Sequence, residues 1–494
     1  MTEGIIAMNL IKILIGLSVL FGSSLINAEP LVGVHKNTLP LVAVGDYKQT
    51  NEYQPLILTG DRNGAQWTYV PVENTGSLKS VVCNESQCTA IGKNKTSLPL
   101  IYSSSDAGYS WQVNKNISQL PANMQSSELE DITCVANICI ATGCYHTEIS
   151  AYARNLPLLL RSNDYGKTWK FNQNINDLTD NFTLDSGLKI SCSGQTCVSV
   201  ARNSSNDSSG PIILVSHDTG QTWKSVKKIE NLPADDHKRS LEDVSCDGKN
   251  CVAVGVVANS KARTANPIIV YSDNDGDTWN YVCTISGLIP AMGPFTMMSA
   301  TSINCKDNLC FAGGSRLYPL ANILSSYPLL LESRDGGKTW SYKPVAIASP
   351  SLKGRYTYIS TPSCAGAHCV SVGLYGDMPE TNTHGFILSS QNSGKSWDVI
   401  KKIEGVPIEF MSQAFVSSVS CFDDQCIATG EYKNAQDKYV PMFLVSKNSG
   451  VNWQLNQNIS LLPQDSNFFL SGLTGSLGLF LNKSFSLSQK MQVS

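Results

Sequence analysis

A short turn closed by tryptophan recurs along the chain and constrains its fold more than any other feature. Its clearest copy is Ser333–Trp340, with the sequence Ser-Arg-Asp-Gly-Gly-Lys-Thr-Trp. All eight tryptophans of the 494 residues close a copy of this turn: Trp67, Trp111, Trp169, Trp223, Trp279, Trp340, Trp397 and Trp453. A motif that returns at a nearly constant interval indicates a protein built from structural repeats.

Each repeat contains the pattern of four short strands, as the last one shows. A β-rich run ends at Cys421, four turn-like residues lead to Cys426, and a second run follows. A variable stretch, the apolar run Val440–Ser446, the turn and a closing run from Trp453 complete the unit. Two tight hairpins in about 56 residues, without helical periodicity, predict four-stranded blades. The chain is therefore predicted to be an all-β protein, a β-propeller.

The number of blades follows from the length of the chain. Residues 29–494 divided among eight units give about 58 residues per blade, which favours an eight-bladed ring. Leu31–His35 and Leu41–Tyr47 look like a first hairpin without cysteines, and Phe468–Phe485 resembles another. One of these segments is expected to complete a blade with strands from the opposite terminus. The alternative is a seven-bladed ring with an irregular extra hairpin.

Cysteine usage is as regular as the turn. Fourteen of the sixteen cysteines form seven pairs with the spacing Cys-x4-Cys: Cys83 with Cys88, Cys134 with Cys139, Cys192 with Cys197, Cys246 with Cys251, Cys305 with Cys310, Cys364 with Cys369, and Cys421 with Cys426. Zinc would need four ligands gathered in one place, whereas these pairs are one repeat apart, so disulfides that close the first hairpin of each blade are predicted. Cys144 and Cys283 remain. For them a bridge between two loops and two free thiols are both open.

The N-terminus has the layout of a secretory signal. Lys12 precedes the apolar run Ile13–Phe21, and small residues lead to Ala28. We therefore expect a signal peptide over residues 1–28 and a single propeller domain over residues 29–494, exported to a periplasmic or extracellular location. No later segment reaches the length of a transmembrane helix.

The turn has a local structural role that its residue types explain. Ser and Asp side chains accept hydrogen bonds from backbone N–H groups, Gly supplies a positive φ, and Trp buries a large apolar surface. The third position is Asp in four copies, such as Asp335, but Asn in three: Asn274, Asn392 and Asn448. Because Asn keeps the acceptor and loses the charge, this position is predicted to hold the turn together rather than to catalyse a reaction.

This turn resembles the Asp-box, or bacterial neuraminidase repeat, of the sialidase-like propeller superfamily. The resemblance covers essentially all of residues 29–494, with four good copies and four weaker ones. It implies a propeller fold. Proteins with such turns include sialidases, xyloglucanase-like glycoside hydrolases, sortilin-type receptors and photosystem assembly factors, so the resemblance assigns no function.

Variation in length points to one face of the predicted ring. The loops between the second and third strands range from the short 92–98 to the longer 143–156 and 313–327, whereas the cysteine and tryptophan turns on the opposite face barely change. Variable loops usually carry the ligand, and Tyr and Arg are favoured at binding surfaces. The candidate ligand-binding residues are Tyr145, His146, Arg154, Asp235, Asp236, His237, Arg239, Arg316, Tyr318, Arg355, Tyr356 and Tyr358.

No catalytic constellation is visible in the sequence. The resemblance to sialidases implies an early Arg-Ile-Pro motif, three arginines on the substrate carboxylate, a Tyr with a partner Glu, and an acid–base Asp. The chain contains no Arg-Ile-Pro, and its adjacent Asp235 and Asp236 do not resemble the separated carboxylates of other glycosidases. The catalytic residues are therefore unknown, and a non-catalytic propeller that binds a glycan or protein partner is favoured. A sialidase-like or other glycoside hydrolase is the alternative.

Cofactor and nucleic-acid partners have no support in the sequence. The formal net charge is −3, without a basic excess, and no phosphate-binding loop or metal-ligand cluster occurs. We expect no cofactor, no metal, no nucleic acid and no membrane span. The ligand and the oligomeric state do not follow from the sequence.

Overall fold

The computed structural model is an eight-bladed β-propeller, as the repeats predict. It describes residues 26–28, 41–49, 52–149, 152–172, 174–177, 183–184, 188–202, 210–233, 237–290, 294–320, 323–345, 355–377, 383–406, 414–434, 436–464 and 466–475. All the regular elements in these ranges are strands. Hydrogen bonding groups the strands into seven sheets, of which the ten-stranded one comprises blades 5 and 6, joined by the single pair Ala265–Met297.

Each blade is an antiparallel sheet of four strands, which we name inner, second, third and outer. The inner strands of blades 1 to 8 are Asn467–Gly475, Gly76–Asn84, Met124–Val135, Lys189–Ser193, Lys238–Asp247, Met297–Lys306, Arg355–Ile359 with Ser363–Ala365, and Ala414–Phe422. The second strands are Leu41–Gln49, Gln87–Asn94, Ile138–Ile149, Thr196–Arg202, Asn250–Asn259, Leu309–Leu320, His368–Asp377 and Gln425–Lys433.

The third and outer strands carry the tryptophan turn between them. The third strands are Glu52–Gly60, Pro99–Ser104, Tyr152–Ser162, Pro211–Ser216, Thr264–Ser272, Ile323–Ser333, Thr383–Ser390 and Tyr439–Ser446. The outer strands are Trp67–Tyr69, Gln112–Val113, Trp169–Phe171, Trp223–Ser225, Trp279–Tyr281, Trp340–Tyr342, Asp398–Val399 and Trp453–Asn456.

Short strands from the linkers tie successive blades together. Each lies parallel to the outer strand of the next blade, with its isoleucine opposite that blade's tryptophan: Ile117–Ser118, Ile175–Asn176, Ile229–Glu230, Ile285–Ser286, Ile403–Glu404 and Ile459–Ser460. One further strand, Ile26–Ala28, lies parallel to the inner strand of blade 3. These linker isoleucines thus belong to a fifth strand that is added to the edge of each of these six blades.

The ring closes in blade 1, where a strand from the N-terminal part of the chain pairs with the last described strand. The inner strand Asn467–Gly475 pairs antiparallel with the second strand Leu41–Gln49, which explains why blade 1 has no cysteine pair. Trp67 stacks on Phe443 of blade 8 with ring centroids 3.8 Å apart. The expectation that one blade combines both termini is therefore confirmed, whereas Leu31–His35 and residues 476–485 lie outside the described residues.

Seven disulfides close the first hairpins of blades 2 to 8, as the spacing predicts. In each, the two cysteines lie directly opposite each other, with Cα atoms 4.0–4.1 Å apart: Cys83 with Cys88, Cys134 with Cys139, Cys192 with Cys197, Cys246 with Cys251, Cys305 with Cys310, Cys364 with Cys369, and Cys421 with Cys426. Cys144 and Cys283 are free thiols, the first half-buried and the second exposed. This number of disulfides is typical of proteins in an oxidising compartment.

The tryptophan turns are hydrogen-bonded as the Asp/Asn exchange implies. Asp335 accepts bonds from the backbone N–H and the hydroxyl of Thr339, at 2.9 and 2.6 Å. In blade 5, Asn274 accepts the corresponding backbone bond from Thr278 at 3.0 Å and donates its amide to the Thr278 hydroxyl at 2.9 Å. The charge is thus dispensable, and the structural role predicted for the turn is confirmed.

A glycine in the second strand allows a β-bulge in the inner strand. A Cβ on Gly430 would lie 1.8 Å from the carbonyl oxygen of Phe415, and Gly143 and Gly255 have equally close contacts at 2.0 Å. The bulges lie directly opposite, where the register shifts. Blade 4 has Ala201 at this position, one residue beyond the last described pair of its first hairpin, Lys189 with Val200. The bulge therefore depends on the absence of a side chain.

Candidate functional site

We define the top face of the ring as the side that carries two kinds of connection. One joins the second and third strands of a blade, and the other joins the outer strand to the next blade. The bottom face carries the disulfide and tryptophan turns. Among the candidate residues on the top face, Asp235 and Asp236 lie outside the described residues. The side chains of Arg154, Arg355 and Tyr356 also lie outside the described part, although their backbones belong to strands.

The residues expected in a long loop of blade 3 lie on a hairpin instead. Tyr145 and His146 pair with Leu156 and Asn155, because the second and third strands continue upward to Ile149 and from Tyr152. Tyr145 is half-buried and packs edge-to-face on Phe171, with ring centroids 5.7 Å apart. His146 Nδ1 lies 3.2 Å from Asn155 Oδ1. The loop assignment of 143–156 was wrong, since alternating residues there form a regular ladder.

Two further candidates belong to the packed interior. Arg239 is 8% exposed and donates hydrogen bonds to the carbonyl oxygens of His237 and Pro233 at 3.1 and 2.9 Å. Arg239 therefore stabilises the backbone of the connection that leads into the inner strand of blade 5. Tyr358 is 5% exposed, and burial raises its pKa to about 12. Neither side chain is presented to a ligand in this arrangement.

Arg316 and Tyr318 of blade 6 are brought together by the fold. The guanidinium carbon of Arg316 lies 5.6 Å from the ring centroid of Tyr318, 5.8 Å from that of Tyr327 and 4.3 Å from that of Tyr342. These four half-buried residues form what we call the Arg316 cluster. The sequence interpretation missed two of the tyrosines, because placing Tyr327 opposite Arg316 requires the position of the hairpin turn.

The arginines described elsewhere do not join this cluster. Arg202 lies 3.5 Å from the carboxylate of Glu242, and Arg263 lies over the ring of Phe295 at 5.5 Å. Arg239 is bonded to backbone carbonyls. Among the side chains that the structure describes, the arginines thus have separate surroundings and do not form the three-arginine clamp that a sialidase would need.

A row of ionic groups follows the inner and second strands around part of the ring, and we call it the inner ionic cluster. Glu128 of blade 3 lies 3.4 Å from Lys79 and 3.1 Å from Lys93 of blade 2. Glu130, also on blade 3, lies 3.9 Å from Lys189 of blade 4. The pair of Arg202 and Glu242 extends the row to blade 5.

The pKa values of the two carboxyl groups of blade 3, Glu128 and Glu130, are shifted in opposite directions. Burial raises the pKa of Glu128, but Lys79 and Lys93 outweigh it and the net shift is downward. Burial and then the charge of Glu128 raise the pKa of Glu130. Two carboxyl groups with opposite shifts are a pattern found in acid–base sites, although ion pairs within a scaffold produce it as well.

Two carboxyl groups at the ring closure are enclosed and strongly perturbed. Asp46 of blade 1 is fully buried, and its oxygens have no hydrogen-bond partner among the described residues. Burial raises its pKa to about 7. Glu431 of blade 8 accepts a 3.4 Å hydrogen bond from the backbone N–H of Leu470 in the closing strand, and burial raises its pKa to about 8. Both groups favour the protonated form at the ring closure.

These raised pKa values predict that the protein loses stability between about pH 4 and pH 8. A raised carboxyl pKa in the folded state means that the unfolded chain releases its proton first, so the free energy of unfolding falls until the pH passes the folded values for Asp46 and Glu431. A tenfold difference in proton affinity between the two states corresponds to about 1.4 kcal/mol. The isosteric double variant Asp46→Asn/Glu431→Gln should flatten this slope in urea unfolding between pH 5 and pH 8. An unchanged slope would contradict the assignment.

Other chemical groups near the inner ionic cluster are poorly suited to reaction. Burial, followed by Glu130 and Glu128, raises the pKa of the Cys144 thiol to about 12, which disfavours the reactive thiolate. Within the described ranges, His, Cys, Asp and Glu side chains form no group of three or more that could hold a metal ion. No helix there is long and apolar enough to cross a membrane.

The described bottom face is held together by contacts from blade to blade. Asn172 donates to the carbonyl oxygens of Gly220 and Gln221 in the next turn, at 2.7 and 3.0 Å. Lys338 lies 2.9 Å from Asp273 of the preceding turn. A cleft of about 390 Å³ separates the turns of blades 1 and 8, lined by Asn63, Ala65, Glu404, Val445, Lys447, Asn448, Asn452, Trp453, Gln454, Leu455 and Asn456. Its walls are largely the structural turns themselves.

Comparison with known proteins assigns no family and no function to the chain. No family model and no curated protein matches it. Similar solved structures are propellers of the sialidase-like and YCF48 type. YCF48 bound to D1 peptide has 14% identity and a TM-score of 0.37, over 74% of this chain and 93% of that one.

Two sugar-active proteins have comparable similarity. A PL25 ulvan lyase bound to its oligosaccharide has 10% identity and a TM-score of 0.43, over 76% of this chain and 96% of the lyase. Trypanosoma rangeli sialidase with 2,3-difluorosialic acid has 13% identity and a TM-score of 0.35, over 68% of this chain and 56% of the sialidase. At this level the likeness concerns the fold alone.

Proposed function

We propose that the protein is an exported, non-catalytic propeller of the Asp-box type that binds a glycan or protein partner through its top face. The observation that carries this proposal is that the carboxylates of the inner ionic cluster are engaged in ion pairs. Its carboxylates Glu128, Glu130 and Glu242 are each within 4.0 Å of a lysine or arginine, and Asp46 and Glu431 are enclosed. Carboxyl groups paired or enclosed in this way are not presented to a substrate.

The two faces differ in a way that supports top-face binding. On the bottom face, polar side chains form hydrogen bonds and ion pairs between neighbouring turns. The top face carries the long hairpins of blades 3 and 6 and the Arg316 cluster. Tyr and Arg side chains combine broad contact area with hydrogen bonding and are enriched at binding hot spots. The disulfides and the predicted signal peptide of residues 1–28 support export.

A glycoside hydrolase is the second candidate, because Glu128 and Glu130 have pKa values shifted in opposite directions. Glycosidases use such a pair as acid and as nucleophile or base. Against this candidate, both side chains are engaged in ion pairs and only about a fifth exposed, at 20% and 18%. The scaffold role accounts for the same shifts.

The proposal is tested by blocking one face at a time. Lys95 and Lys261 lie on top-face connections of blades 2 and 5, and Tyr109 lies on a bottom-face turn of blade 2. Each is changed to cysteine in a Cys283→Ser background and coupled to a maleimide polymer. Retention of sialosides, a polysaccharide panel and a displayed peptide library on the oxidised protein is then measured.

The expected result is that polymer on either top-face position lowers retention at least tenfold, while polymer at position 109 has little effect. Steric blocking acts only where the partner docks, so the pattern across positions identifies the binding face. Equal retention for all labelled forms, or loss only with the label at position 109, would contradict top-face binding. Release of free sugar by the unlabelled protein would favour the hydrolase.

A further inference from the structure

The Arg316 cluster lies at the upper end of the hydrophobic layer between blades 5 and 6. Arg316 and Ala312 are on the same side of their strand, because alternate residues of a strand share one face of the sheet. Ala312 packs with Val252 and Val254 of blade 5, and Tyr342 packs against the same layer. The layer therefore ends at the top with a guanidinium group among three tyrosines instead of another apolar residue.

The contacts of Arg316 with described residues are made through ring faces and leave its Nε without an acceptor. The aromatic contacts lie within 4.3–5.8 Å of ring centroids and are of the cation–π type. The Nε atom is buried and has no hydrogen-bond acceptor among the described residues, and no described carboxylate pairs with Arg316. A guanidinium group carries five N–H donors in a planar fork, which matches the two oxygens of a carboxylate.

We propose that the Arg316 cluster binds a carboxylate of a polypeptide partner, either a chain terminus or an Asp or Glu side chain. The guanidinium fork receives the carboxylate, and the tyrosine rings contact the adjoining apolar part of the partner. This assignment rests on the proposed function and narrows it to one site and one ligand chemistry. A carboxylate on the terminal N–H groups also supplies hydrogen bonds to a guanidinium group whose Nε has no acceptor among the described residues.

The composition of the site favours a polypeptide over an acidic polysaccharide. An acidic polysaccharide repeats its charge along the chain and suits a row of cations, whereas this site contributes one guanidinium group. The surroundings are apolar as well as aromatic, with Met298, the partner of Arg316 on the inner strand, at 1% exposure. The Tyr318 hydroxyl lies 3.6 Å from the sulfur of Met298. An apolar and aromatic surface of this kind can contact the apolar side chains that adjoin a single carboxylate in a peptide.

The test uses the full oxidised chain and a random peptide library with free carboxyl termini. Peptides that the protein enriches are resynthesised with an amidated terminus, and with Asp and Glu replaced by Asn and Gln. Their affinities are measured by fluorescence anisotropy against the wild type and against Arg316→Gln. We expect loss of the carboxylate and loss of the arginine each to weaken binding at least tenfold, and the two losses together to cost little more than either alone.

Two further variants separate binding from packing. Arg316→Lys keeps the charge but not the planar fork and should recover only part of the affinity. Arg62→Gln removes the same charge on the bottom face, where Arg62 lies 4.0 Å from Asp423, and should leave affinity unchanged. Circular dichroism and urea unfolding of each variant verify that the fold is intact.

Three results would overturn the assignment. If the enriched peptides bind Arg316→Gln and the wild type with equal affinity, the binding site lies elsewhere, and top-face binding is not contradicted. Equal binding of amidated and neutralised peptides would exclude a carboxylate. Absence of peptide enrichment together with retention of polygalacturonate or a sialoside would make the ligand a glycan, and absence of any retention would overturn the proposed function too.

Discussion

A chain that ends at Ser466 is expected to lose the cooperative fold of the whole ring. The missing strand Asn467–Gly475 is the inner strand of blade 1 and contributes Phe468, Leu470 and Leu473, which are at most 3% exposed. Burying each such side chain contributes about 1.5–3 kcal/mol, and a domain has only about 5–15 kcal/mol in total. Loss of the strand also leaves the edge of Leu41–Gln49 unpaired.

Urea unfolding is monitored by near-ultraviolet circular dichroism, with and without a separate peptide that replaces the missing strand. A synthetic peptide of residues 466–475 should restore a cooperative transition to the shortened chain, because it supplies the missing strand. The same peptide with Leu470 and Leu473 changed to Asp should not. A shortened chain that unfolds like the wild type without any peptide would show that blade 1 does not need this strand.

Replacing Gly430 by alanine is expected to destabilise the protein by about 3 kcal/mol or more. The new Cβ would lie 1.8 Å from the carbonyl oxygen of Phe415 and 3.0 Å from the Cα of Val416. Both are backbone atoms of the inner strand, so relief requires the bulge itself to rearrange, which places the change among the most damaging kinds of substitution.

Blade 4 supplies the matched control for this substitution. Ala201 occupies the corresponding position there, next to Val200, which pairs with Lys189 of the inner strand. Ala201→Gly removes one buried methyl group and adds backbone freedom, which together should cost about 1–2 kcal/mol. The two variants are compared by their urea midpoints at one pH. A Gly430→Ala midpoint within the range of Ala201→Gly would refute the explanation of the bulge.

The repeated turn and the cysteine pairs were sufficient to predict the blades, because both are local features with a fixed physical role. Ser, Asp and Trp within eight residues define the turn at 333–340, and Cys421 and Cys426 define a hairpin by their spacing alone. The closure of the ring was predicted only as one of two possibilities. It depends on pairing Leu41–Gln49 with Asn467–Gly475, and nothing local specifies a contact over that distance in sequence.

The candidate site was predictable only in part. Arg316 and Tyr318 are neighbours on one strand, and their association could be anticipated, whereas Tyr342 reaches them from another strand of the blade. The inner ionic cluster was missed because Glu128 and Glu130 look like ordinary solvated residues of a polar strand. A glycine lies four residues after six of the seven second cysteines, as at Gly430, and this pattern was a visible signal of the bulges.

The inner carboxyl groups either hold the ring together or catalyse a reaction, and sugar release distinguishes the two roles. The full oxidised chain is incubated with sialosides and mixed polysaccharides, and released sugar is detected by mass spectrometry. The variants Glu128→Gln and Glu130→Gln are assayed in parallel. We expect no release by any of the three proteins, and a lower urea midpoint for Glu128→Gln, because Lys79 and Lys93 favour the charged form of Glu128. Release by the wild type that disappears in either variant would contradict the scaffold role and identify the pair as catalytic.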